Sequence, residues 1–174
     1  GDSGLRYRGY AIGDLADWSS FEEVAHLLLV GRLPTGTELH TFSDLIMRNR
    51  QLPDPVERFL ETLRPGLHQM DVLRTGMSLL GMTDPDAQDA SPESTLRKSI
   101  RLLGQVPCLI AECHRRLAGG QPVTRDHSGG FAEHLLRLIV GELRGELGSA
   151  MTQALNVSLI LYATFALVQT VRHR

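Results

Sequence analysis

Three groupings in this sequence contain residues able to do chemistry. His68, Asp71 and Arg74 stand three apart, so they fall on adjoining turns if the segment is helical. An imidazole, a carboxylate and a guanidinium so placed suit the edge of an anionic substrate, or equally a capped, ion-paired helix surface. Cys108, Cys113 and His114 are metal-ligand types. Their spacing matches no zinc pattern, and a helix would set Cys108 and His114 far apart around its axis. We therefore expect no metal site. Asp84-Pro85-Asp86 and Glu22-Glu23 present paired carboxylates of the kind used in acid–base work. Loop solvation and helix capping account for them better. No Gly-x-Ser-x-Gly elbow and no phosphate-cradling glycine loop occurs, and Gly9, Gly31 and Gly36 read as turn and cap residues.

Helices must position these residues. Ser20-Phe21-Glu22-Glu23 has capping-box spacing, followed by the apolar face of Phe21, Val24, Ala25 and Leu28 and a stop at Gly31. Thr35-Gly36-Thr37-Glu38 repeats the box before Leu39, Phe42, Leu45 and Ile46. Asp54-Pro55 opens a third helix, since proline has no N–H to lose in a first turn. A fourth follows His68, with Met70, Leu73, Met77 and Leu80 on one face. Thr83 to Ala90 reads as a loop. Ser91-Pro92-Glu93 starts what the pattern makes the longest helix, with a kink or break expected at Pro107 and an end at Gly119-Gly120. Gln121 to Gly129 reads as a loop, Phe131 to Ile139 as a helix, and the run Leu155 to Val171 as the last helix. Only Gly4 to Ile12 alternates, which predicts a short amino-terminal strand or hairpin. The fold class is all-α.

Composition narrows the function classes. The 174 residues are 42% hydrophobic and 22% charged, with a formal net charge of −2. The scattered basic residues form no stripe for a phosphate backbone, so nucleic acid is not an expected partner. Cys108 and Cys113 lie five apart on one predicted helix, on different faces, and are not expected to bridge. Free thiols suit a reducing, cytoplasmic setting. No secretory signal opens the chain, and the absence of an initial methionine suggests that the natural amino terminus is missing. Leu155 to Val171 contains Asn156, Ser158, Thr164, Gln169 and Thr170 and is short for a ~30 Å hydrocarbon layer, so it reads as a core helix with no membrane role.

Several segments together resemble the citrate synthase family. They are Gly4-Leu5-Arg6-Tyr7-Arg8-Gly9-Tyr10-Ala11-Ile12-Gly13-Asp14-Leu15-Ala16, Phe21 to Leu29, Gly31-Arg32-Leu33-Pro34-Thr35 with Glu38-Leu39, and His68-Gln69-Met70-Asp71-Val72-Leu73-Arg74-Thr75-Gly76-Met77-Ser78. Pro107-Cys108-Leu109-Ile110-Ala111 and Gly141-Glu142 add weaker support. Gln69 stands where the family usually has proline. The Asp-Val-x-Arg-Thr-Gly form and Tyr162 resemble the 2-methylcitrate synthases most. The resemblance runs from Gly4 to about Ala163.

It implies a multi-helical large domain, partial over residues 3–174, with the family's small domain and carboxy-terminal catalytic half absent from these residues. It implies a homodimer that uses oxaloacetate and an acyl-CoA co-substrate, propionyl-CoA or acetyl-CoA, with no covalently bound cofactor. In the family an aspartate removes a proton from the acyl α-carbon and a histidine stabilises the enol, which attacks the oxaloacetate ketone before the thioester is hydrolysed. No residue here matches those catalytic groups. Thr164-Phe165 matches the family's Glu-His, whose histidine holds oxaloacetate. Phe165 offers neither a donor nor a charge to a dicarboxylate. His68 and Arg74 remain the candidate substrate-binding residues. Beyond Ala163 the match is lost abruptly, as a truncated or frameshifted reading frame would produce. The chain is thus expected to be an inactive amino-terminal fragment. The alternative is a non-catalytic helical module or pseudoenzyme that pairs with a full-length synthase.

Overall fold

The computed structural model describes residues 5–120, 129–141 and 145–172, with side chains through Ala163. The chain is helical apart from a hairpin, β1 (Arg6–Tyr7) paired antiparallel with β2 (Tyr10–Ala11). Arg8 and Gly9 both have positive φ (51° and 96°), the left-handed pair that a two-residue turn needs to follow the strand twist. Eight helices follow: α1 (Ile12–Trp18), α2 (Phe21–Val30), α3 (Gly36–Arg48), α4 (Asp54–Glu61), α5 (Gln69–Thr83), α6 (Pro92–Leu117), α7 (Phe131–Val140) and α8 (Gly145–Arg172).

Local chemistry sets most boundaries. The Ser20 hydroxyl accepts from the Glu23 N–H at 3.3 Å while the Glu23 carboxylate accepts from the Ser20 N–H at 2.7 Å. Both halves of the capping box at α2 are therefore present. Gly31, left-handed at φ 98°, ends that helix. Thr35 and Glu38 repeat the box at α3, at 2.8 and 3.4 Å. Pro53 caps α4, and Pro55 sits in its first turn. At the end of α6, Gly120 N–H reaches Arg115 O (2.8 Å) and Gly119 N–H reaches Arg116 O (3.1 Å), the Schellman pattern around a left-handed Gly119.

Two expectations change, and a third narrows because the expected kink or break at Pro107 is not a break. The longest described helix is α8, with 28 residues against 26 for α6. It begins ten residues before the apolar run, because Gly145 and Gly148, which read as breakers, are accommodated in its first turns. The helix α6 runs through Pro107 without a break. Packing compensates there for the missing N–H: Pro107, Cys108 and Leu109 are all buried. A short helix, α1, also follows the hairpin, where the sequence pattern gave no separate element.

The described residues divide into two compact units. The first comprises the hairpin, α1, α2, α3 to Ser43, α7 to Arg137, and α8. The second comprises α3 from Asp44, α4, α5, α6 and the end of α7. The second unit has an apolar core in which Leu52, Val56 and Leu60 meet Val72 and Leu80 of α5 and Cys108, Leu109 and Cys113 of α6. Two glycines permit close approach within it. A Cβ on Gly104 would lie 2.6 Å from Ile46 O, and one on Gly76 would lie 2.7 Å from Leu109 Cδ1. Both cysteines are free and both are buried, because α6 is enclosed on more than one side.

In the first unit, Val24, Ala25 and Leu27 of α2 are fully covered, and α2 and α1 pack against α8. The Phe21 and Phe131 rings meet at 4.6 Å, tilted 43°. Apolar residues fall on every side of α8, and Leu147, Leu161 and Tyr162 are exposed. Among the described residues no helix is long and apolar enough to cross a membrane.

Candidate functional site

Helix α8 carries the polar groups that organise the first unit. Asn156 bridges the α1–α2 junction. Its side-chain oxygen accepts from Phe21 N–H (2.8 Å) and its amide donates to Ser19 O (3.1 Å). A cleft of about 410 Å³ opens beside it, lined by Asp17, Trp18, Ser20, Glu133, Thr152 and Gln153 among others. Glu22, 8% exposed, accepts from Phe131 N–H at 2.6 Å and so caps the first turn of α7. One turn beyond Asn156 the hairpin engages α8. Tyr7, 1% exposed, donates its hydroxyl to Ile160 O (3.1 Å) and Leu161 O (3.0 Å). Backbone helix continues from there through positions 164 and 165 to Arg172. The Phe165 side chain lies outside the described residues.

The other candidates lie in the second unit. Asp71 stands between His68 Nδ1 (4.0 Å) and Arg74 Nη1 (3.6 Å), with all three side chains more than two-thirds exposed. His68 is the N-cap residue of α5, but its side chain makes no capping bond. The group is an open surface at a helix start.

The paired aspartates are engaged. Arg101 binds Asp84 through Nε and Nη2 (2.9 and 2.6 Å) and reaches Asp86 at 2.5 Å. Arg97 binds Asp86 through the same two nitrogens (3.1 and 2.8 Å). Hydrogen bonds from Arg97, then Arg101, hold the Asp86 carboxyl well below the usual carboxylate range. A carboxylate so fixed is a poor proton acceptor near neutral pH. Burial, then the adjoining Glu112 charge, pushes the Cys113 thiol up to about 11, which suits a packing thiol rather than a nucleophile. Among the described residues no group of three or more His, Cys, Asp or Glu could hold a metal ion.

Sequence reasoning missed Tyr7 and Asn156 as organising residues, and it read Glu22 as a capping residue without the helix it caps, α7. The signals were faint: an asparagine in an otherwise apolar run, and a tyrosine on the inward side of an alternating strand.

An all-helical fold with an amino-terminal hairpin and an apolar helix tied back to it defines the structural class. The family profile described as "Citrate synthase, C-terminal domain" matches residues 1–164. The chain therefore belongs to the citrate synthase family. A curated relative, the 2-methylcitrate synthase of Mycobacterium tuberculosis, is 39% identical over 160 residues, which cover 91% of this chain and 39% of the relative. Citrate synthase 2 of Bacillus subtilis is 37% identical over 163 residues, covering 93% and 43%. The crystal structure of citrate synthase from Pyrobaculum aerophilum superimposes with a TM-score of 0.80 at 28% identity, covering 90% of this chain and 40% of that one. The chain thus spans about two-fifths of the length of these relatives. The family profile reaches residue 164, one position before Phe165.

Proposed function

We propose that this chain provides helical framework of an acyl-CoA:oxaloacetate C-acyltransferase, a citrate or 2-methylcitrate synthase, and does not by itself carry out the condensation. The observation that carries the reading is the family match over residues 1–164, joined by relatives named for both activities at similar identity. Residues 3–174 are read as a partial large domain. Its helices hold in place a turn, at positions 164 and 165, from which the family contacts oxaloacetate. At 165 this chain has phenylalanine, which can neither donate to a carboxylate nor balance its charge. The remaining steps need an aspartate to take a proton from the acyl α-carbon and a histidine to stabilise the enol. Neither has a counterpart among the 174 residues.

On the same reading the co-substrate is an acyl-CoA and no cofactor is covalently bound. Tyr162 and the Asp71 to Gly76 segment resemble the 2-methylcitrate synthases most, and the acyl-CoA is propionyl-CoA or acetyl-CoA. The working assembly is a homodimer in the cytoplasm.

The test is direct. The purified chain is incubated with oxaloacetate and either propionyl-CoA or acetyl-CoA, and free thiol is followed with a chromogenic disulfide. No release above the enzyme-free rate is expected. Thiol release proportional to chain concentration and dependent on oxaloacetate would refute the inactivity.

A further inference from the structure

We propose that the cleft bordered by α1, α2, α7 and α8 binds a guanidinium group, carried by an arginine side chain of a protein partner or by a free alkylguanidine. The inference concerns the first unit alone and is independent of the condensation chemistry.

Glu22 is the central residue. It stands in the first turn of α2, lines the cleft and is only 8% exposed. One carboxylate oxygen, Oε1, accepts from Phe131 N–H at 2.6 Å. The other, Oε2, has no hydrogen-bond partner among the described residues. A carboxylate has sites for about four donors, and covering it without them is costly. Oε2 is not fully enclosed, and the cleft is the space onto which Glu22 opens.

The surrounding charge has the same sign. Asp17 and Glu133 also border the cleft, and no lysine, arginine or histidine is among the described residues that line it. Arg137 reaches Glu133 at 2.6 Å and offsets that one charge. Asp17 and Glu22 have no ion pair among the described residues, and they border about 410 Å³, within the range of small-ligand sites. Such a wall concentrates cations. The starts of α2 and α7 border the cleft too, but Asn156 takes the Phe21 N–H (2.8 Å) and Glu22 takes the Phe131 N–H, so an anion is poorly served.

Trp18 selects the kind of cation. It ends α1 beside the cleft and is 85% exposed. An indole face attracts cations, and a planar guanidinium also stacks on it. The guanidinium brings five N–H donors in a fixed fork that fits carboxylate oxygens. Thr152 and Gln153 add oxygen acceptors from α8. A quaternary ammonium would leave Glu22 Oε2 without a donor. A primary ammonium is compact and strongly hydrated, and does not stack.

Trp18 is the only tryptophan in the chain, so its emission reports on the cleft. The full chain is titrated at constant ionic strength with N-acetylargininamide and with N-acetylcitrullinamide, which keeps the shape and lacks the charge. The arginine compound should give a saturable change, half-complete at about 1 mM or below. The citrulline compound should bind at least about tenfold more weakly. Equal binding, or a change that never saturates, would overturn the proposal, and this comparison needs no variant to fold. Glu22→Gln keeps an oxygen for the Phe131 N–H while removing the charge. It should weaken N-acetylargininamide binding about tenfold, and unchanged binding would also overturn the proposal. A short peptide with one arginine between glycines separates the two sources. Binding at least about tenfold tighter than N-acetylargininamide supports a protein partner, and equal binding supports a free alkylguanidine.

Discussion

The two compact units are stabilised in different ways. In the second, α4, α5 and α6 enclose one apolar core, and glycines at 76 and 104 let the helices meet at short range. The polar interactions there lie mostly near its edge, as in the aspartate–arginine cluster of residues 84 to 101. In the first, α8 packs against α1 and α2 and is also tied to distant backbone by polar bonds, from the Tyr7 hydroxyl and between Asn156 and the backbone of Ser19 and Phe21. Dense apolar packing is insensitive to any single polar group. A helix that adds specific polar bonds to its packing is sensitive to each of them as well. On the proposed reading, the family's substrate-holding position falls on α8.

Deleting core volume should have the largest effect. Leu109, fully buried, touches the Gly76 position on α5. Leu109→Ala should cost about 3 kcal/mol, read as a lower urea midpoint at unchanged slope. A loss below about 1 kcal/mol would show that the second unit is not packed as described. Gly104→Ala should cost about 2 kcal/mol, because its Cβ would strike backbone at Ile46 and Asn49, which cannot swing away as a side chain can.

Smaller effects should appear where polar bonds carry the load. Asn156→Ala leaves Phe21 N–H and Ser19 O without this partner, at about 1–2 kcal/mol. Its signature should be faster amide exchange at the start of α2 and no change within α6. Ser20→Ala should cost about 1 kcal/mol through loss of the capping box, measured by thermal denaturation.

The smallest effect concerns acid. The carboxyls of Asp86 and Glu38 are held low by their arginine partners, Arg97 and Arg32 foremost. A carboxyl lowered in the folded state stabilises the fold above its unfolded pKa, near 4. That contribution is lost as the pH falls toward the folded value. Asp86→Asn should therefore flatten the stability profile below about pH 4 and leave its shape near neutrality unchanged. A steeper acid limb in the variant would contradict the assignment.

How much of this was legible in the sequence follows from the range of each interaction. The boxes at Ser20–Glu23 and Thr35–Glu38, the proline starts at 55 and 92 and the Gly119 stop are local, and each sits where its spacing placed it. At Pro107 the expected kink or break is not a break, since a buried neighbourhood outweighs one missing backbone bond. The start of α8 was hidden behind Gly145 and Gly148, which read as breakers. The family resemblance directed attention to positions 164 and 165, which no periodicity would have singled out. The bonds that reach α8 join residues 135 to 154 apart, and no spacing rule reaches that far.

The contrast between the units is tested most directly by native-state amide exchange over the whole chain. The slowest amides are predicted in α6, between Gly104 and Cys113, with those of α8 between Ser149 and Ile160 exchanging at least about tenfold faster. Protection in α8 equal to or greater than that in α6 would contradict the account, because it would mean that the first unit holds α8 as firmly as the apolar core of the second holds α6.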